Sequence, residues 1–223
     1  MNIWAGVLAG ALVAVPFQNA AQNPVAPGGG VSLQVHVYNL ADVHTKNLER
    51  ALRETARILA VAGIEIVFEP GSADSPEAHT SDMNQWLPSM WQKPDDRAFL
   101  VVRMVRGFPA EILPKMLGFS LPSARKGVHV TVFCDRVERV SSGTPAPRET
   151  VLGSVLAHEI GHVLLRSEEH TPGGIMKAVW NRADYQRMAE RTPEFQAAQA
   201  VAMRDEVRRR VSTRSLTVAG GPY

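Results

Sequence analysis

Cysteine is nearly absent from this sequence, and that scarcity is the first constraint on its structure. Of the 223 residues only Cys134 is a cysteine, so no disulfide can form within the chain. Cys134 lies in the apolar segment GVHVTVFCDRV, which favours a buried, unreactive thiol. The fold must therefore depend on an apolar core, and 45% hydrophobic residues supply enough for one domain.

An excess of charge of either sign is also lacking. The chain carries 24 Lys and Arg against 22 Asp and Glu, for a formal net charge of +2. Without a strong overall field, there is no electrostatic basis for binding nucleic acid or for attracting an acidic substrate. The run from Arg208 to Arg210 is more typical of a solvated helix face than of a phosphate-binding patch. We therefore expect no nucleic-acid partner.

The N-terminal apolar run is short for a membrane span. It extends from Ile3 to Val15, about 13 residues against the ~20 that a spanning helix needs. Pro16 and small residues near Ala20 follow, which is typical of a signal peptide, although a basic n-region and a clean Ala-x-Ala site are missing. We expect residues 1–21 to be a signal peptide or an N-terminal anchor. The protein is then exported, periplasmic or secreted, with no stable membrane partner unless this segment is retained.

The remainder divides by composition into a linker, one domain and a tail. Residues 22–31 are rich in Pro and Gly and are typical of a linker. Residues 32–211 mix strand-like and helix-like segments, which predicts one α/β (α+β) domain. Residues 212–223 end in SLTVAGGPY and are predicted to form a flexible tail.

Apolar periodicity predicts the strands of this domain. Leu33, Val35 and Val37 alternate with polar residues, and a helical pattern from Asp42 to Ala62 leads into IEIVFEP, a second strand most simply parallel to the first. RAFLVVRMVR and GVHVTVFCDRV predict further strands, giving a twisted mixed sheet of four to five strands. Residues 70–96, between them, predict a long excursion with a short amphipathic helix.

The second half of the chain is predicted to be helical. PRETVLGSVLAHEIGHVLLR is apolar nearly all round its helical period, which predicts a buried helix from just after Pro147 to about Arg166. RADYQRMAER predicts the next helix. Thr192 and Pro193 are typical of the N-cap and first position of a last helix, Glu194 to about Val211.

The buried helix carries the one chemically distinctive motif, His-Glu-x-x-His. His158 and His162 lie four residues apart, so on a helix they differ by about 40° around the axis and can meet one metal ion. Catalytic zinc sites use three protein ligands and leave the fourth position to water. Glu159 can reach that zinc-bound water and act as its general base. Two satisfied core histidines without a metal are the plainer alternative.

A third ligand must come from the turn beyond the helix. The segment RSEEHTPGG breaks the helix and brings His170 eight residues after His162. His170 is the predicted third ligand. Carboxylates in the same turn or on the following helix remain alternatives: Glu168, Glu169, Asp184 and Glu190.

The order of these features resembles the metzincin clan of zinc metalloproteases. In that clan His-Glu-x-x-His-x-x-Gly-x-x-His is followed by a tight turn with a methionine beneath the metal, and here Met176 follows His170 in GGIM. The chain is also similar to uncharacterised exported bacterial zinc proteases in which a late histidine precedes Gly-Ile-Met. It departs from the clan pattern at Leu165 in place of Gly, at Glu168 in place of His, and in the late position of His170.

The resemblance implies a metzincin-like zincin domain over residues 32–211, with an active-site helix and C-terminal helices. Zn²⁺ would be held by His158, His162 and His170, with Glu159 as general base and Met176 in a structural Met-turn. The implied activity is zinc-dependent endopeptidase hydrolysis of a peptide or protein substrate. By the clan's arrangement, GVHVTVFCDRV would be the edge strand along the cleft.

Two other interpretations stay open beside this one. The chain could be a non-catalytic exported domain that keeps zinc in a closed site, with Glu168 or Glu169 as the fourth ligand. It could also be a zincin with a Glu or Asp third ligand. No Tyr stands two residues after Met176, where some metzincins have an auxiliary group, and Tyr185 is a weak substitute.

Overall fold

The computed structural model describes residues 31–71, 99–107, 116–124 and 129–219. The predicted signal peptide or anchor, nearly all of the predicted linker, and the predicted excursion beyond Gly71 lie outside the described residues. Within the described ranges, no helix is both long and apolar enough to cross a membrane.

A five-stranded sheet forms one layer of the fold. Its strands are β1 (Val31–Asn39), β2 (Ile64–Pro70), β3 (Phe99–Val105), β4 (Gly118–Ser120) and β5 (Val130–Phe133), in the order β2-β1-β3-β5-β4. β2, β1, β3 and β5 are parallel, and β4 pairs antiparallel with β5. This confirms the predicted mixed sheet, and the pairing of β1 with β2 confirms their predicted parallel direction.

Five helices belong to the described part of the chain. They are α1 (Thr45–Val61), α2 (Cys134–Ser141), α3 (Arg148–Leu165), α4 (Arg182–Glu190) and α5 (Ala197–Ala219). α3 packs against α1, and both contribute to a core that also contains the inward residues of β1, Leu33, Val35 and Val37. Every residue of α3 from Val151 to Leu164 is buried, which agrees with its nearly uniform apolar period.

Two predicted elements are wrong in extent. The strand predicted over GVHVTVFCDRV ends at Phe133, and α2 begins at Cys134. The reason is a change of period, because the buried residues Cys134, Val137 and Ser141 recur at helical spacing. The last helix begins at Ala197 rather than Glu194 and continues to Ala219, so the predicted tail is helical as far as Ala219.

The predicted edge strand is also wrong. β5, the strand within GVHVTVFCDRV, lies between β3 and β4 inside the sheet. Among the described strands, the edge on that side is β4, which has only three residues, Gly118–Ser120. A strand of three residues is too short to show a two-residue alternation, so the sequence carries no periodic signal for it.

Candidate metal centre and active site

The two histidines of the motif meet on the surface of α3. The Nε2 atoms of His158 and His162 lie 3.0 Å apart, and the ring centroids lie 4.7 Å apart at an interplanar angle of 81°. Both side chains are buried. The four-residue spacing in a regular helix therefore places two imidazole nitrogens at one point, as expected from helical geometry.

Backbone carbonyls fix the tautomer of both rings. His158 Nδ1 donates to the Ile175 carbonyl and His162 Nδ1 to the Ser167 carbonyl, each at 2.8 Å. Because a carbonyl can only accept, each Nδ1 carries the proton, and in the neutral ring each Nε2 presents a lone pair. Two lone pairs facing each other repel unless a cation lies between them. The pair is thus arranged as metal-ligating histidines usually are, with the second nitrogen held by a carbonyl.

The protonation states favour the same interpretation. Burial is the main cause that lowers the pKa of His158 to about 4; the bond to the Ile175 carbonyl opposes it, and His162 and His170 add smaller lowering contributions. Burial also lowers the pKa of His162, with His170 adding to it. Both imidazoles are consequently neutral at pH 7, which is the form that binds a metal ion.

His170 joins this pair from the turn beyond α3. Arg166 ends the helix with a left-handed backbone conformation, at φ 52°. The chain then turns back, and the centroid of the His170 ring lies 5.3 Å from that of His158 and 4.8 Å from that of His162. One ligand atom from each of the three histidines lies within 4.8 Å of the others. Three imidazoles are a donor set suited to zinc, copper, iron or nickel.

The carboxylate alternatives are placed elsewhere. Among the described residues, the group that could hold a metal ion beside the motif contains the three histidines and no carboxylate. Glu168 and Glu169 are exposed, and Glu190 accepts a hydrogen bond from Gln186. Asp184 caps α4 and pairs with Lys177 and Arg187. The assignment of His170 as third ligand stays a prediction, but the structure brings its exposed ring to the motif, and the group of possible metal ligands there contains none of the four carboxylates.

Glu159 is buried beside the histidines, against strand β4. Burial raises the pKa of Glu159 to about 7, and a hydrogen bond from the Ser120 side chain opposes that rise only in part. Gly118 makes room for the carboxylate: a Cβ there would lie 3.2 Å from Glu159 Oε1 and 2.8 Å from the Thr131 carbonyl oxygen. A carboxyl group with a pKa near neutrality can both take and release a proton at pH 7.

Met176 lies under helix α3. It is fully buried with Ile175, and it approaches α3 so closely that a Cβ at Gly161 would be 2.7 Å from its Sδ atom. The Met176 carbonyl also accepts from the Thr171 N–H, which closes the loop that carries His170. Met176 therefore supports both the helix and the loop, while its designation as a Met-turn stays a prediction.

Sequence reasoning missed several contributors to this site. Gly118 and Ser120 lie on a strand that was not predicted, and the Ser167 and Ile175 carbonyls act through the backbone. Trp180 packs edge-on against His158, with centroids 5.6 Å apart. The Tyr185 ring packs against Trp180, with centroids 6.2 Å apart. Trp180 thus lies between Tyr185 and His158, which does not favour Tyr185 as the auxiliary tyrosine that some metzincins have at the metal. Of the three missed residues, Gly118, Ser120 and Trp180, only Trp180 lies near the motif in the sequence.

Comparison with known proteins supports the fold. No protein-family model matches the chain, and no curated protein sequence matches it. A solved structure that is similar is archaemetzincin from Methanopyrus kandleri, with TM-score 0.54 and 14% identity over 82% of this chain and 99% of that chain. The two chains share a fold. A zinc-dependent peptidase from Methanocorpusculum labreanum gives TM-score 0.49 and 18% identity, over 76% of this chain and 99% of that chain. The fold is thus the one seen in the archaemetzincin, with a mostly parallel sheet.

Proposed function

We propose that this protein is a zinc-dependent metalloendopeptidase of metzincin-like type. The observation that carries the proposal is the convergence of three imidazoles beside one buried carboxylate, Glu159. The fold shared with an archaemetzincin is consistent with it. His158, His162 and His170 form the donor set that this chemistry requires, and Glu159, next to His158, supplies the base.

The residues fit a zinc ion. Tetrahedral zinc binds imidazole nitrogens at ~2.0 to 2.1 Å, which places two ligand nitrogens about 3.3 Å apart. The 3.0 Å between the Nε2 atoms of His158 and His162 is close to that separation. The carbonyls of Ile175 and Ser167 hold the rings in the tautomer that zinc needs. Zinc bound here would polarise the scissile carbonyl and lower the pKa of water toward 7.

Glu159 is the proposed general base. Its carboxylate takes a proton from the attacking water and passes it to the nitrogen of the leaving amine. The apolar surroundings that raise its pKa also keep bulk water from competing for that proton. General acid–base catalysis of this kind is worth roughly 10² to 10⁴ in rate.

An extended peptide or protein segment is the proposed substrate. β4 is the last strand of the sheet in the described part of the chain, so no described strand pairs with its outer side. Leu117 and Leu121 bond to β5 through their backbones, so by alternation the backbone groups of Gly118 and Ser120 face outward. A substrate strand can pair with those groups.

We also propose that the protein is exported. This proposal depends on the N-terminal segment alone, and N-terminal sequencing of the mature protein tests it.

Substitution of Glu159 tests the proposed function. The purified protein is assayed with a fluorescence-quenched peptide library, with and without chelator, and its zinc content is measured. Glu159→Gln should keep stoichiometric zinc and lower kcat by roughly 10² to 10⁴. Glu149→Gln, the same change in the first turn of the same helix, is the matched control and should cleave normally.

Two results would count against the proposal. Cleavage that survives in Glu159→Gln would remove the base from the mechanism. Zinc-loaded wild-type protein that cleaves no peptide would instead favour a non-catalytic zinc-binding domain, in which Glu159 has no catalytic task.

A further inference from the structure

The edge strand β4 presents two side-chain positions to the general base. Gly118 and Ser120 are two residues apart, so they lie on the same face of the strand, and this is the face that packs on α3. Phe119, between them, points to the opposite face, where its ring meets Phe133 at 5.9 Å. The alternation of β4 therefore aims Gly118 and Ser120 at Glu159 and away from the other side of the sheet.

The two positions act differently on Glu159. Gly118 leaves a space that the carboxylate fills, since a Cβ there would lie 3.1 Å from Glu159 Cγ. Ser120 lies two residues further on the same face, and its side chain holds the pKa of Glu159 below the value that burial alone would give. Glu159 is buried, so the Ser120 hydroxyl restricts the direction in which its oxygens point. Neither residue belongs to the His-Glu-x-x-His motif.

We infer that Ser120 is a positioning residue that holds the Glu159 carboxylate in line for proton transfer, with Gly118 providing the space. This inference rests on the proposed function and adds a residue to it. The same two residues turn their backbone groups to the outer side of β4, with which no described strand pairs. The short strand β4 thereby orients the Glu159 carboxylate and also offers backbone groups that can pair with a substrate strand. The substrate and the general base are then both positioned by the same strand.

The proposal predicts a loss of kcat without a loss of substrate binding. Ser120→Ala removes the hydroxyl but keeps the backbone that pairs with substrate. With the library peptide that the wild type cleaves fastest, kcat should fall about 10-fold to 100-fold, since a base displaced by ~1 Å costs rate on this scale. KM should stay within about 2-fold, and zinc content and melting temperature should match the wild type.

Two further variants separate positioning from a general structural role. Ser120→Thr keeps a hydroxyl on a strand that accepts Thr, so it should recover most of the lost kcat. Ser32→Ala makes the same change at an exposed position of β1 and should leave kcat unchanged. If Ser120→Ala fails to fold, Ser120→Cys, of similar size and with a weak donor, takes its place and should show the same loss of kcat.

The outcomes are distinguishable. Wild-type kcat in Ser120→Ala, or a Ser120→Thr variant as slow as Ser120→Ala, would overturn this inference and leave the proposed function intact. A fall in kcat matched by loss of zinc or of melting temperature, in both the Ala and Cys variants, would also overturn it. Zinc-loaded wild-type protein without peptidase activity would overturn the proposed function and this inference together.

Discussion

His170 is the residue on which the three-histidine cluster depends most, because it is the one ligand candidate outside α3. His158 and His162 are brought together by the helix alone, whereas His170 needs the left-handed turn at Arg166 and the loop closed by the Met176 carbonyl. That turn explains why the sequence could name His170 only as one candidate among several. Spacing predicts contacts within a helix, but not the path of a loop after it.

Removal of His170 should weaken zinc binding sharply. A site reduced from three protein ligands to two loses affinity, and we expect His170→Ala to raise the zinc Kd by at least about 100-fold, since even outer-shell changes cost 10-fold to 100-fold. Titration with zinc against a competing chelator measures this. His44→Ala, an exposed histidine before α1, is the control and should bind zinc normally.

Substitution of the rival carboxylates completes that test. Asp184→Asn and Glu190→Gln should keep the wild-type zinc Kd, because neither residue joins the histidine group. A loss of zinc in either variant with none in His170→Ala would transfer the third-ligand assignment to α4.

At the scale of elements, α1 and α3 cross closely at Gly153. A Cβ at Gly153 would lie 2.6 Å from the Ala51 carbonyl oxygen, and the Thr55 hydroxyl donates to the Gly153 carbonyl at 3.1 Å. The contact is with backbone, so the neighbour cannot rotate away. This crossing fixes the depth of α3 in the core, and with it the position of the metal-binding face.

Gly153→Ala should therefore destabilise the protein despite its better helix propensity. Overpacking costs ~1 to 3 kcal/mol, while Ala gains only about 1 kcal/mol over Gly in a helix interior, so a net loss of about 1 kcal/mol in the free energy of unfolding is expected. Urea unfolding measures it. Gly143→Ala, where the nearest atom would be 3.7 Å away, should change the free energy of unfolding little.

Asp184 contributes to the stability around helix α4 in a way that depends on pH. Burial opposes its ionisation, but hydrogen bonds from Lys177, the Asn181 backbone and Arg187 prevail and lower the pKa of Asp184 below its ordinary value. A carboxyl with a lowered folded-state pKa contributes stability above its unfolded pKa of ~3.9. That stability is lost as pH falls through the folded value.

Asp184→Asn should consequently lower stability at pH 7, and by a smaller amount at pH 2.5. We expect a difference of about 1 kcal/mol in the free energy of unfolding at pH 7, the scale of one charged hydrogen bond near the surface. Asp205→Asn removes an exposed pair with Arg208 and should show almost no difference at either pH. A deficit in Asp184→Asn that is equal at both pH values would show that its charge is unimportant.

The elements show where the sequence was informative. β1, α1, β2 and α3 were predictable because their apolar periods are long and regular. β4 was not, since three residues carry no period, and α2 was merged with β5 because an apolar run hides the change at Cys134. The missed strand is the one that contacts Glu159, so the helix side of the site was predictable from sequence and the strand side was not.

At the scale of the whole molecule, zinc binding should be coupled to folding. The three histidines come from α3 and from the loop beyond it, so they converge only in the folded chain. A ligand that binds only the folded state stabilises it by about 2.7 kcal/mol at a concentration 100 times Kd. For a domain of this size that raises Tm by roughly 5 to 10 °C.

Calorimetry of chelator-treated and zinc-reloaded protein tests this coupling. Tm should rise on reloading in the wild type and should rise much less in His170→Ala. Equal Tm values with and without zinc in the wild type would mean that zinc binding is not coupled to folding.

The proposed chemistry depends on three imidazoles, from His158, His162 and His170, holding one zinc ion. A crystal structure of the zinc-loaded protein, with diffraction data collected on both sides of the zinc absorption edge, measures this without an activity assay. We predict one anomalous peak per chain, ~2.0 to 2.1 Å from a nitrogen of each of the three rings. A peak elsewhere, or a zinc ion bound by His158 and His162 with the His170 ring turned away, would contradict the prediction.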